Sequence, residues 1–240
     1  MEPHKTIPSI DVNDVPILSL GAKDYFIKAH KFAYEYYYDI IEKISSTKFN
    51  EFSPERFFEE YIWVVYTSGF SAKAVSKFFD RLSNAYGHFV DLSERTIDNV
   101  MPEIKLICNN KQKANSVVKM AKILNDNIIK YGWQKYRDDH LSSPELLTNL
   151  PHIGPITCFH LARNIGLLDS VKPDLHLVRA AKYWGYNSCE EMCRDIQPEG
   201  MPLGIVDLIY GSVCLHGVPK NWSKLRNKPG AFSLIYTPGS

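Results

Sequence analysis

What this sequence lacks narrows its class first. No apolar run approaches the roughly 18 residues that a membrane-spanning helix needs, so a membrane protein is not expected. Hydrophobic residues make up 45% and charged residues 23%, a balance that excludes a disordered chain. Cysteine is scarce and odd in number, five in 240 residues, which argues against a disulfide framework and for a reducing compartment. The opening Met1-Glu2-Pro3-His4-Lys5 lacks a basic stretch followed by an apolar core. No secretory signal is therefore expected, and the location read from the sequence is intracellular: cytoplasm with nucleoid, or nucleus. Charge of one sign is also missing, since 28 Lys and Arg against 27 Asp and Glu leave +1. A polyanion partner would have to meet a local patch. Repeats and low-complexity blocks are absent, and strict polar–apolar alternation is scarce, so little sheet is expected.

Helical periodicity is abundant. Tyr25, Phe26, Ala29, Phe32, Ala33, Tyr36, Tyr37 and Ile40 recur at helical spacing and predict one amphipathic helix within 21–45. Ser53-Pro54 followed by Glu55 opens a second helix, with a capping hydroxyl, proline in the first turn and an acid near the dipole's positive end. Ser71 caps a helix over 72–86 that Gly87 ends. Further helices are predicted at 93–99, 102–108, 111–130, 144–150, 155–165, 175–184, 189–196 and 203–215, before a tail rich in Pro, Gly and Lys. The fold class is all-α.

Chemistry concentrates after residue 143. A short capped helix, Ser143 to Leu150, runs into Pro151-His152-Ile153-Gly154, and a second helix begins near Pro155. Two helices joined by so tight a turn leave backbone amides pointing outward at the second N-terminus, which suits a phosphate. Next come Lys172-Pro173-Asp174-Leu175-His176-Leu177-Val178-Arg179. Proline extends the residue before it, and Asp174 falls where a helix N-cap is expected, a setting that keeps a carboxylate ionised. An Asp before an apolar run is usually a structural cap and nothing more.

The combination resembles a family. Leu150-Pro151-His152-Ile153-Gly154-Pro155-Ile156-Thr157 is similar to the hairpin of the helix-hairpin-helix DNA glycosylase superfamily, and Asp174-x-His176-x-x-Arg179 to the catalytic motif of its endonuclease III-like branch. Tyr66-Thr67-Ser68-Gly69-Phe70-Ser71-Ala72-Lys73-Ala74 and Asn110-Lys111-Gln112-Lys113-Ala114 resemble its early helix-loop-helix and a later helix start. The resemblance spans roughly 55–215 and implies two helical lobes around a cleft with Asp174 at the seam. The expected division is an N-terminal extension (1–50) on the second lobe, a helical lobe (51–142), a hairpin and Asp lobe (143–218) and a basic tail (219–240).

Departures from the pattern carry information. Bifunctional members have a lysine two residues after the second hairpin glycine, where this chain has Ile156, so no Schiff base can form at that position. The resemblance thus implies a monofunctional enzyme that uses water. It points away from bifunctional oxidised-base enzymes and toward alkylated purines, mispaired bases or a bulky modified pyrimidine. His152 replaces the first hairpin glycine, and Gly69 stands where a gap-filling glutamine is common, leaving Phe70 as the wedge. Cys189, Cys193 and Cys214 have neither the number nor the spacing for an iron–sulfur cluster. With His216 they could form four zinc ligands, but burial is the commoner fate of free cysteine and zinc is not expected. No cofactor is expected; a structural monovalent cation at the hairpin is the one ion considered.

The implied reaction is hydrolysis of an N-glycosidic bond in double-stranded DNA carrying a damaged, mispaired or modified base, by a monomer that extrudes its target nucleotide. Asp174 stabilises the oxocarbenium-like sugar and orients water. His152, Ile153, Gly154, Ile156, Thr157, Lys113 and Phe70 are expected to meet DNA; Trp63, Tyr66 and Trp184 to line the base pocket; His176 and Arg179 to support the Asp loop. Lysines 105, 111, 113, 119 and 122, with Lys220, Lys224, Arg226 and Lys228, supply local positive charge, although a solvated helix face explains such a run equally well. Few phosphate contacts and modest salt dependence follow from the near-zero net charge. A DNA-binding module without chemistry and an enzyme acting on hypermodified bases remain as alternatives.

Overall fold

The computed structural model describes residues 21–173 and 175–217, the last six by backbone alone. The described residues form fourteen α-helices and no strand: α1 (Ala22–Tyr36), α2 (Tyr38–Ser45), α3 (Pro54–Thr67), α4 (Ala72–Ser76), α5 (Phe79–Tyr86), α6 (Phe89–Ser93), α7 (Ile97–Ile104), α8 (Lys111–Tyr131), α9 (Trp133–His140), α10 (Pro144–Leu147), α11 (Thr157–Asn164), α12 (Leu175–Tyr183), α13 (Cys189–Ile196) and α14 (Leu203–Gly217). The all-α expectation holds. Capping sets many of the starts: Ser53 Oγ accepts from the Arg56 amide, Ser71 Oγ from Ala74, and Asn110 Oδ1 from Lys113.

Local differences have local causes. The single helix expected over 21–45 breaks at Tyr37 (φ −130°, ψ 19°), after which α2 buries Ile41 and Ile44. The helix expected over 72–86 is divided by Phe78 (φ −131°, ψ 0°). Helices expected at 93–99 and 102–108 start earlier, because His88 accepts from the Val90 amide and Thr96 forms a capping box with Asn99. Helix α9 escaped prediction: its sequence, WQKYRDDH, is too polar to show an apolar stripe, and only Tyr136 and Arg137 are buried.

Two cores define two lobes. The first gathers α3 to α11, with Phe57, Tyr61, Val65, Leu82, Val117 and Leu124 among its buried side chains. The second joins α1 and α2 to α12, α13 and α14 through Phe26, Ala33, Leu177, Met192, Val206 and Tyr210. Leu147, Leu150, Ile153 and Leu161 belong to the first core, so the cores part after Ile165 and not at the 142/143 boundary expected from sequence.

The lobes meet at a polar seam. Buried Glu60 on α3 accepts from Lys43 Nζ of α2 and from Asn164 Nδ2 of α11, both at 2.9 Å. Beside it the chain crosses over at Gly166 (φ +91°), where a Cβ would lie 2.7 Å from both Thr47 O and Phe49 N. Glycine is required there by backbone angle and by space.

Candidate nucleic-acid interface and active site

The hairpin is anchored from beneath. Leu150 and Ile153 insert into the first core, and the buried Tyr61 hydroxyl donates to Pro151 O at 2.6 Å. His152 turns the corner at φ +64°, the one non-glycine residue with positive φ among the described residues. Such backbone costs a β-carbon residue energy that surrounding structure must repay. Burial, then the nearby Lys113 charge, push the His152 pKa below the ordinary histidine value, so the ring is neutral at neutral pH.

The structure reassigns the hairpin amides. That of Ile153 donates to Leu150 O at 3.1 Å, and that of Gly154 to Thr157 Oγ1 at 2.7 Å, so neither is open to a phosphate. The amides of Ile156 and Thr157 have no acceptor among the described residues and open α11 at its positive dipole end. The Ile156 side chain is 46% exposed beside them.

Two sequence expectations are corrected. Lys113 does not reach outward to DNA: it is 5% exposed, and its ammonium donates to the carbonyls of Val65, Tyr66 and Ser68 at the end of α3. It caps that helix and lies 5.0 Å from the Phe70 ring centroid, so the charge steadies the loop that carries Phe70. Tyr66 lines no pocket. It is wholly buried and shares a 2.7 Å hydrogen bond with Tyr86, because a tyrosine enclosed in a core needs a partner for its hydroxyl. Trp63 packs edge-on against Phe79 beside the first core, and Trp184 against Tyr25 and Tyr210 in the second. Phe70 is 47% exposed.

From the hairpin, α11 leads directly to the loop before Asp174. Asp174 itself lies outside the described residues, as do Lys220, Lys224, Arg226 and Lys228 and the side chains of Cys214 and His216. The loop's approach is fixed by α14. Asp207, 3% exposed, accepts from Arg163 Nη1 at 3.0 Å and from the Lys172 backbone amide at 3.1 Å. Gly204 donates its amide to Leu168 O at 2.7 Å, an approach a larger residue would crowd. His176 and Arg179 stand half-buried on α12. Lys105, Lys111, Lys119 and Lys122 are exposed on or just before α8, and Lys111 lies 3.8 Å from Asp98. Cys189 and Cys193 are buried in the second core, and no group of three or more His, Cys, Asp or Glu suited to a metal occurs among the described residues.

Sequence reasoning missed Tyr61, His160, Arg163 and Asp207. Asp207 had a signal: it is a lone carboxylate inside the apolar run Leu203 to Tyr210, where an acid needs a buried partner. The other three gave none that separates them from ordinary helix residues.

Residues 40–195 match the family described as 8-oxoguanine DNA glycosylase. Among solved structures, the chain is similar to a Methanocaldococcus jannaschii 8-oxoguanine glycosylase/lyase in complex with a 15mer DNA containing 8-oxoguanine. The two are 20% identical, the match covers 78% of this chain and 94% of that one, and the TM-score is 0.54. No curated protein matches.

Proposed function

The chain belongs to the 8-oxoguanine DNA glycosylase family, and from that premise we propose that it hydrolyses the N-glycosidic bond of a damaged base in duplex DNA without lyase chemistry. The supporting observation is one helix, α11, that joins the open amides of Ile156 and Thr157 to the Asp207-held loop two residues before Asp174. The amides receive a phosphate beside the target nucleotide, and Phe70 fills the stack that the extruded base leaves. The C1′–N bond then breaks with its electron pair moving onto the base. Asp174 stabilises the positive sugar, water bonds to C1′ through oxygen, and a water proton ends on the base.

Lyase chemistry is set aside because Ile156, at the position of the family's lysine, has no amine to attack the sugar. The family description makes an oxidised guanine the first substrate to test, ahead of the alkylated, mispaired and bulky bases suggested by the absent lysine.

The test is single-turnover base release from duplexes carrying 8-oxoguanine and other lesions, with strand cleavage read before and after alkali. Free base with alkali-dependent cleavage is expected. Asp174→Asn is expected to bind DNA but release base on the order of 10³-fold more slowly or not at all. A borohydride-trapped covalent adduct of the wild type would overturn the monofunctional reading. Undiminished release by Asp174→Asn would overturn the role of Asp174.

A further inference from the structure

An ammonium has three donors, and Lys113 directs all of them at backbone carbonyls: Val65 O at 2.6 Å, Tyr66 O at 3.2 Å and Ser68 O. These carbonyls close α3, where a helix leaves acceptors unfilled and presents the negative end of its dipole. Water or a glycine turn usually meets that need at a helix end. Here a charge is taken out of water to do so, which is costly unless every donor is filled.

The segment it holds is short. Lys113 pins Ser68 on one side, and on the other Ser71 is pinned as the cap of α4, its Oγ accepting from the Ala74 amide at 3.2 Å. Only Gly69, at φ +82°, and Phe70 lie between these fixed points. The Phe70 ring has the ammonium 5.0 Å beneath its centroid and is 47% exposed above. A half-exposed ring gains little packing from being held, yet its loop is pinned twice.

The same lysine is tied to the hairpin. Its amide donates to Asn110 Oδ1 at 3.1 Å, in the first turn of α8. One turn on, Ser116 O lies 3.2 Å from the Tyr61 hydroxyl that donates to Pro151 O of the hairpin. The Lys113 charge also acts on His152 at the hairpin corner. The first two turns of α8 therefore touch both the Phe70 loop and the support of the hairpin.

We propose that Lys113 is a positioning residue for base extrusion, its buried ammonium holding the Ser68–Phe70 turn in register with the hairpin, so that the ring enters the stack as the Ile156 and Thr157 amides take the phosphate. This role rests on the glycosylase reading above, with Phe70 as the wedge, and deepens it. Order imposed when the protein folds is order that DNA binding does not have to supply.

The test uses duplexes that carry 8-oxoguanine beside 2-aminopurine, whose fluorescence reports unstacking, together with single-turnover base release. Phe70→Ala is expected to lose on the order of 10-fold in rate, the scale of one aromatic–base stacking contact, along with the unstacking signal. Lys113→Met, which keeps the stem and removes the ammonium, should lose as much, and the double variant no more than Phe70→Ala alone. Binding of undamaged duplex should stay at the wild-type level, since the hairpin amides are intact. A wild-type signal and rate in Lys113→Met, multiplied losses in the double variant, or equally weakened binding of lesion and undamaged duplexes would overturn the proposal.

Should Lys113→Met fail to fold, a glycine inserted between Gly69 and Phe70 decides the matter, because it leaves the ammonium and its carbonyls in place and lengthens only the exposed span. Loss of the unstacking signal in that variant supports the proposal, and a wild-type signal overturns it. If the wild type releases no base, the glycosylase reading falls and the unstacking signal judges Lys113 alone. A signal that Lys113→Met or the insertion abolishes supports the positioning role, and no signal in the wild type overturns it.

Discussion

The hairpin and the loop before Asp174 are joined by α11, yet they are held in place by different physics. The hairpin rests on apolar insertion of Leu150 and Ile153 and on one neutral hydrogen bond from Tyr61 to Pro151. The Asp174 loop hangs from a buried ion pair, Arg163–Asp207, whose carboxylate also takes the Lys172 amide. Apolar burial degrades gradually when trimmed, whereas half of a buried ion pair leaves an unpaired charge in a poor solvent. The loop is therefore the brittle partner, and the hairpin the tolerant one.

The largest effect should come from breaking that pair. Asp207→Ala strands Arg163 and is expected to lower unfolding stability by about 3–5 kcal/mol in chemical denaturation. Asp207→Asn keeps an acceptor for the Lys172 amide and should cost less while still slowing base release. A cost for Asp207→Ala no larger than that of an average surface substitution would show that the two regions do not differ in this way. On the hairpin side, Tyr61→Phe is expected to cost about 1–2 kcal/mol, by leaving the Pro151 carbonyl without its donor, and to weaken binding of duplex DNA.

Acidification should load both regions. His152 in the hairpin and His160 facing the loop both have pKa values depressed below 6.5 by burial, then by neighbouring cations: Lys113 for His152, Arg163 and Lys172 for His160. The unfolded chain then binds more protons than the folded one below that value, so stability is full above about pH 6.5 and falls as the pH drops toward the folded pKa values. His160→Gln and His152→Gln should each flatten this slope, because each removes one histidine whose pKa is depressed in the folded state. A slope of denaturation midpoints between pH 5 and 7 that neither substitution reduces would contradict the assignment.

The smallest expected change is a gain. His152→Gly relieves the φ +64° backbone and should stabilise the protein by up to about 1 kcal/mol, glycine's greater unfolded freedom offsetting part of the relief. A loss of stability would mean that the ring contributes packing worth more than the strain.

The sequence by itself determined the all-α class, the capped starts at Ser53 and Ser71, the hairpin and the absence of an amine at Ile156. Each follows from neighbours a few residues apart: a capping hydroxyl, a proline, a 3.6-residue period, a missing side-chain nitrogen. Only the tertiary structure decided that Lys113 turns inward to three carbonyls, that Tyr66 pairs with Tyr86, and that the hairpin amides left open are those of Ile156 and Thr157. It alone joined Asp207 to Arg163 and to the Lys172 amide. Those outcomes depend on which distant groups compete for one buried donor or charge, across separations such as the 44 residues between Arg163 and Asp207. Local periodicity records which residues avoid water, and packing chooses their partners.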